Sequence, residues 1–265
     1  MAGHPLLTIA VRAARRAGDL MVRSFDRVDT LEVFVKGRNE FVSEIDRKAE
    51  DDILQTIRRN YPEHAILAEE SGRHGDDEVL WIIDPLDGTT NYLHGLPQFA
   101  VSIACQVRGR LEIGVIYDPM RQELYTAVRG AGAQLDGKRI RVSQRTDLAT
   151  ALIGTGFPFR HDLADLDRYL AMFRDVIKAT AGVRRPGSAA LDLAYVAAAR
   201  YDGFWESGLK PWDIAAGALM IQEAGGLVSD LDGSGDWLDT GAVLAGNPKI
   251  HTALQKLLKP HLAGT

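Results

Sequence analysis

The first apolar pattern in the chain is helical. Ile9, Ala13, Ala17, Leu20 and Met21 recur at helix spacing and predict an amphipathic helix over 6–25. Arg12, Arg15 and Arg16 fall largely between them, on the solvated face. A second stripe, Ile45, Ala49, Ile53 and Ile57, repeats every four residues and stops at Tyr61-Pro62. Ser43 with Asp46 three residues on is a relative of the capping box, so Asp46 falls in the first turn. In that place an aspartate need do no more than favour the helix dipole.

Short apolar runs follow at 65–68, 79–83, 99–107, 111–117 and 122–128 and read as strands. Arg108-Gly109-Arg110 turns one pair, and Asp136-Gly137 turns another ahead of the alternating Ile140 and Val142. After about residue 145 helices alternate with shorter strands. Helices are expected over 163–180, from Ser188 to about Arg200, from Pro211 to Gly225-Gly226 and from Asn247-Pro248 to Leu262. Strands are expected at 151–154, 182–184, 204–206, 227–230 and 242–245. The class is α/β. The chain is expected to form a single unit over 1–265, with a possible subdomain division near 145.

Composition narrows the function. The 265 residues suffice for a large core, and 46% hydrophobic with 25% charged residues is ordinary for a soluble domain. A formal net charge of -5 argues against nucleic acid as the substrate. A single cysteine, Cys105, fits a reducing cytoplasm. No secretory signal is visible at the N-terminus, and no apolar run approaches the ~18 residues of a membrane span.

The candidate chemistry is acidic. Trp81-Ile82-Ile83 runs into Asp84-Pro85-Leu86-Asp87-Gly88-Thr89-Thr90, two carboxylates three residues apart beside a turn. The carboxylates and the Leu86 carbonyl are hard oxygen ligands suited to Mg²⁺, and Gly88 and Thr89 offer N–H groups to a phosphate. Standing alone, that segment is better explained as a plain Asx turn closing a strand. Glu69-Glu70-Ser71 places adjacent acids at a strand end, and Asp213 stands in the first turn after Pro211. A surface loop and a helix-dipole partner are the bland explanations of those two. Three such places together favour a metal site. Zinc spacing is absent, and His94 reads as a surface or structural histidine.

These three segments, with Trp212-Asp213-Ile214-Ala215-Ala216-Gly217 as the third, resemble the signatures of the inositol monophosphatase family of Mg²⁺-dependent, Li⁺-inhibited phosphatases. Residues 184–226 look like its bacterial SuhB-type branch, and the resemblance spans about 6–262. It implies a layered α/β/α/β/α sandwich of the sugar-phosphatase type and a homodimer. It implies metal ligation by Glu69, Asp84, the Leu86 carbonyl, Asp87 and Asp213, with Glu70 holding a water on the metal. Asp46 and Thr89 would orient the attacking water. Gly88 and Thr89 would hold phosphate, and Asp87, Ala189, Glu206 and Asp213, with Arg185 at the mouth, would meet the polyol. Residues 1–145 would then bind metal and phosphate, and 146–265 the leaving group. Where many members have Asp-Phe-Val-Thr this chain has Glu40-Phe41-Val42-Ser43, which keeps the hydroxyl; Lys36 on that loop is a further candidate.

The expected reaction is hydrolysis of an inositol monophosphate by a metal-activated water. Related phosphatases act on fructose-1,6-bisphosphate, 3′-phosphonucleotides or histidinol phosphate, and these stay open as substrates. The SuhB-type branch also resembles proteins that act in ribosomal RNA transcription antitermination through protein contacts, so transcription-machinery partners are a second expectation.

Overall fold

The first apolar stripe becomes α1 (Pro5–Phe25), which buries Ile9, Ala13, Ala17 and Met21 while Arg12, Arg15 and Arg16 stay in solvent. The computed structural model describes residues 3–28, 33–37, 40–157 and 163–262, and of 33–37, 40–42 and 163–165 the backbone alone. The side chains of Lys36 and of Glu40, Phe41 and Val42 therefore lie outside the described residues.

A hairpin that the apolar pattern did not announce, β1 (Val33–Gly37) with β2 (Glu40–Ser43), leads into α2 (Glu44–Asn60). Its capping box is complete. Ser43 Oγ accepts from the Ile45 and Asp46 N–H groups, and Asp46 Oδ2 accepts from the Ser43 N–H at 2.8 Å.

The next elements are β3 (Ala65–Ala68), β4 (Gly72–His74), β5 (Val79–Asp87), α3 (Thr89–Leu93), β6 (Ala100–Val107), β7 (Arg110–Asp118), β8 (Glu123–Val128), β9 (Gly132–Leu135) and β10 (Lys138–Arg139). Their strands form an eight-stranded sheet in the order β10-β9-β8-β7-β6-β5-β3-β4, antiparallel except between β3 and β5. Both expected turns form as two-residue loops with positive φ, Arg108-Gly109 at 52° and 73° and Asp136-Gly137 at 48° and 76°. The last strand is shorter than its alternation suggested. It ends at Arg139, and the Val142 N–H instead donates to the Ala224 carbonyl at 3.2 Å.

The second half supplies β11 (Leu152–Thr155), α4 (Leu163–Ala179), β12 (Gly182–Arg184), α5 (Ala189–Ala197), β13 (Gly203–Glu206), α6 (Pro211–Glu223), β14 (Leu227–Ser229), α7 (Trp237–Thr240), β15 (Val243–Gly246) and α8 (Pro248–Leu258). Its sheet has the order β12-β11-β13-β15-β14. The helix expected to reach Arg200 closes early, because the Arg200 and Tyr201 N–H groups both return to the Tyr195 carbonyl. The final α-helix stops at Leu258 and tightens to a 3₁₀ turn at Lys259-Pro260-His261.

Helices α1 and α2 cover one face of the large sheet, and α5 and α6 lie between the two sheets. Helices α4 and α8 pack together on the far side of the small sheet. The result is an α/β/α/β/α sandwich. Small residues let its central layer close up. A Cβ on Gly114 of β7 would stand 2.9 Å from the Ala216 carbonyl, and one on Gly217 would overlap Leu193 of α5.

Candidate functional site

Strands β3 and β5 run parallel and end side by side, and their C-terminal ends carry the acids. The Glu69 N–H donates to the Ile83 carbonyl at 3.1 Å, which extends the pairing to Glu69 itself. In a regular strand Asp84 and Asp87, three residues apart, would face opposite sides of the sheet. The register against β6 shifts between them: Asp84 lies opposite Ser102 and Asp87 opposite Ala100. One extra residue in β5 reverses the alternation and returns both carboxylates to one side. Pro85, which has no N–H to give a ladder, sits inside this bulge.

Asp213 arrives from the first turn of α6, whose start is set by Pro211. Asp84, Asp87 and Asp213 are all buried, and each offers an oxygen within 4.8 Å of the others. Each is anchored through one oxygen. Asp84 Oδ1 accepts from the Leu86 N–H at 2.9 Å, and Asp213 Oδ2 from the Lys210 N–H at 2.7 Å. Asp87 Oδ2 accepts from Ser188 Oγ at 2.5 Å and from the Ala190 N–H at 2.8 Å. Those donors open α5, so the cluster joins the two halves of the chain. Asn91 makes a parallel tie through Nδ2 to the Pro186 carbonyl at 2.9 Å.

Burial, followed by the charges of Glu69, Asp87 and Asp213, pushes the Asp84 carboxyl well above the usual range. Burial and Asp213 push Asp87 up to about 7 against the bonds from Ser188 and Ala190. Asp46 is also raised by burial, opposed by its bonds from Ser43 and Thr89. A dry cluster of like charges is costly, and an oxygen-seeking divalent cation is the species that offsets it. The donors are all oxygen, with no histidine or cysteine in the set, so the residues fit Mg²⁺.

Next to the cluster stands Thr89, at the start of α3. Its hydroxyl proton is shared between Asp46 Oδ1 at 2.8 Å and the Leu86 carbonyl at 3.1 Å. Gly88 before it has φ 102°, and a Cβ there would come 2.8 Å from the Gln98 carbonyl, so the turn requires glycine. Helix α3 is only five residues long, so the backbone N–H groups here act locally rather than through a long helix dipole.

All of this faces a cleft of about 320 Å³. Glu69, Asp84, Leu86, Asp87, Gly88, Thr89, Arg185, Ala189, Glu206 and Asp213 line it, and Asp46 reaches it through Thr89. Glu70 is not on the lining, although it is half-buried on the same turn as Glu69. His94 is exposed at the end of α3.

Several lining or supporting residues lay outside the sequence reading. Glu50 of α2 is buried and accepts from the Glu70 and Ser71 N–H groups at 2.8 and 2.9 Å, which pins the acidic turn. Gly156 gives its space to Glu206, whose carboxylate a Cβ there would overlap. Phe157 also lines the cleft, and the expected Arg185 lies over its ring at 4.8 Å. Asp192 lines the cleft from α5 and is 1% exposed. The available signal for Asp192 was a single acid in the otherwise apolar run Ala189–Ala197.

Comparison with known proteins gives the same assignment along the whole chain. The family model described as "Inositol monophosphatase family" matches residues 3–263. A Pseudomonas aeruginosa protein named Nus factor SuhB is 57% identical over 264 residues, covering 98% of this chain and 97% of that one. The crystal structure of extragenic suppressor protein suhB from Bartonella henselae has a TM-score of 0.94 at 45% identity, covering 99% of this chain and 100% of its own. The structure of inositol monophosphatase from Anabaena (Nostoc) has a TM-score of 0.83 at 41% identity, covering 96% and 95%. With the acidic cluster, the sandwich and a full-length family match in agreement, the chain belongs to the inositol monophosphatase family.

Proposed function

We propose that this protein is a Mg²⁺-dependent phosphatase that hydrolyses inositol monophosphate to inositol and phosphate. The observation that carries the reading is the trio Asp84, Asp87 and Asp213, buried within 4.8 Å of one another on the wall of an open cleft. Glu69, Asp84, the Leu86 carbonyl, Asp87 and Asp213 would hold the metal. When bound, Mg²⁺ supplies Lewis-acid activation of a water and neutralises charge on the phosphate.

The protein's own groups do the positioning. The Thr89 hydroxyl donates its hydrogen bond to Asp46 Oδ1 and the Leu86 carbonyl, so its oxygen lone pairs would accept from a water and hold it toward phosphorus. The Gly88 and Thr89 N–H groups would hold the phosphate oxygens. Glu206, the Ala189 backbone and Arg185 would meet the leaving group at the outer part of the cleft. Glu70 would orient a water from the acidic turn that Glu50 pins. On this reading 1–145 handles metal and phosphate and 146–265 handles the leaving group, in one unit that works in the cytoplasm as a homodimer.

The test is phosphate release from a panel with and without Mg²⁺: inositol monophosphate, fructose-1,6-bisphosphate, a 3′-phosphonucleotide and histidinol phosphate. Preference for one of the last three would replace the substrate and keep the chemistry. No release from any of them would overturn the reading.

The relative named a Nus factor supports a second role, in transcription antitermination through protein contacts. Recovery of RNA polymerase or a Nus factor on the tagged chain, undiminished by Asp87→Asn, would separate that role from catalysis. Failure to recover either would remove it.

A further inference from the structure

Asp192 is a buried acid that the proposed reaction does not use. It sits in the first turn of α5, in a run of nine residues that are all buried and otherwise contain no charge. Its Oδ1 is buried and has no hydrogen-bond partner among the described residues. A carboxyl oxygen in that state is normally costly, and a fold retains one where a ligand or bound water completes it. The residue lines the same cleft as the three-carboxylate cluster.

Its neighbours indicate what completes it. Burial holds the Asp192 carboxyl well above the usual range, and the next contributions are the charges of Glu206 and Asp87, with Arg185 opposing them. Asp192 therefore shares the cleft lining with Asp87, with a second carboxylate at Glu206 and with the Arg185 guanidinium, and feels the charge of each. Two carboxyl groups lining one cleft are a poor surface for an aromatic ring or an aliphatic chain. They suit a ligand that presents several hydroxyl donors from one face.

We propose that Asp192 is a leaving-group recognition residue, which with Glu206 forms a two-carboxyl wall selecting alcohols that carry adjacent hydroxyls, as a cyclic polyol does. This rests on the phosphatase reading and extends it to a residue inside the helix that anchors Asp87. An aryl phosphate offers no hydroxyl to this wall and passes it by.

The experiment compares wild type, Asp192→Ala and Asp192→Asn on inositol monophosphate and on an aryl phosphate at saturating Mg²⁺, with thermal melts of all three. The expected result is a KM for inositol monophosphate raised about tenfold in Asp192→Ala. Asp192→Asn, which keeps the shape and an acceptor oxygen, should fall between. The aryl phosphate should be unchanged, and both variants should melt at or above wild type, since an unsatisfied buried acid is removed. Equal losses on both substrates, a lowered melt in either variant, or no change on either substrate would overturn the proposal. A wild type that hydrolyses neither of these substrates would overturn the polyol selection alone, and one that also releases no phosphate from the other esters of the panel would overturn the phosphatase reading with it.

Discussion

The Thr89 hydroxyl stands 2.8 Å from Oδ1 of Asp46, an acid 43 residues earlier whose other oxygen completes the cap of α2. One buried carboxylate thus fixes a helix start and a cleft hydroxyl together. Thr89→Ala should lower kcat about a hundredfold or more, the range of a lost proton-handling group. Mg²⁺ affinity should change much less, because Thr89 lies outside the carboxylate trio. A kcat measurement with a Mg²⁺ titration checks this, and equal large losses in both would show Thr89 to be part of the metal site.

Asp87 should separate activity from stability. Asp87→Asn is expected to cut kcat on the order of 10²–10³-fold. In chelator it should melt higher than wild type near pH 8. The folded-state carboxyl is raised to about 7 from an unfolded value of about 4. Folding is thus opposed by ionisation above pH 4, and fully so above 7. The advantage of the variant should shrink as pH falls through 7 and vanish near 4. Calorimetry across that range checks the sign, and a variant with no cooperative melt would show that Asp87 is structural.

Chelation should abolish activity and lower the melting temperature of the wild type. Restoring Mg²⁺ at 100 times its dissociation constant should return about 2.7 kcal/mol of stability. Ca²⁺ should bind without restoring turnover, because its larger and less regular coordination spoils a geometry built for a smaller ion. Activity that survives thorough chelation would remove the metal from the mechanism.

Glu206→Ala should raise KM for inositol monophosphate and spare an aryl phosphate, at a cost of about 1.5–3 kcal/mol for a charged hydrogen bond. Gly156→Ala should do the same without touching the acid, since its Cβ would take the space of the Glu206 carboxylate. The double variant should be no worse than the poorer single one, the signature of two residues acting through one contact. Additive losses would mean that Gly156 serves the fold.

Glu50→Gln keeps one acceptor for the two N–H groups of the acidic turn and loses its charge. The Mg²⁺ concentration for half-maximal activity should rise about tenfold, as for other groups that orient a ligand from behind. An unchanged Mg²⁺ requirement with a lowered melt would make Glu50 a plain structural brace.

What the sequence disclosed and what it hid follow from the range of each interaction. The stripe Ile45, Ala49, Ile53 and Ile57 and the pair Ser43 and Asp46 are local, and α2 forms where their spacing puts it. The turns at Arg108-Gly109 and Asp136-Gly137 are likewise written in two residues. The facing of Asp84 and Asp87 is not local, because the bulge between them exists only against β6. Glu50 and Asp192 read as ordinary helical acids, and only their burial and their placement against distant segments distinguish them. The strand expected through Val142 failed for the same reason: the Ala224 carbonyl, far along the chain, takes its N–H.

The bonds from Ser188 and Ala190 to Asp87 span 101 and 103 positions of the chain. On a ribosome adding about 5–20 residues per second, Asp87 joins the chain roughly 5–20 s before either donor does. Throughout that interval the nascent large sheet can pair its strands, but the ends of β3 and β5 cannot go dry, because ionised acids without donors hold their water. Dehydration then comes with the arrival of α5 and α6, so the acidic cluster closes late in synthesis, when only the segment from β14 to α8 is still to follow.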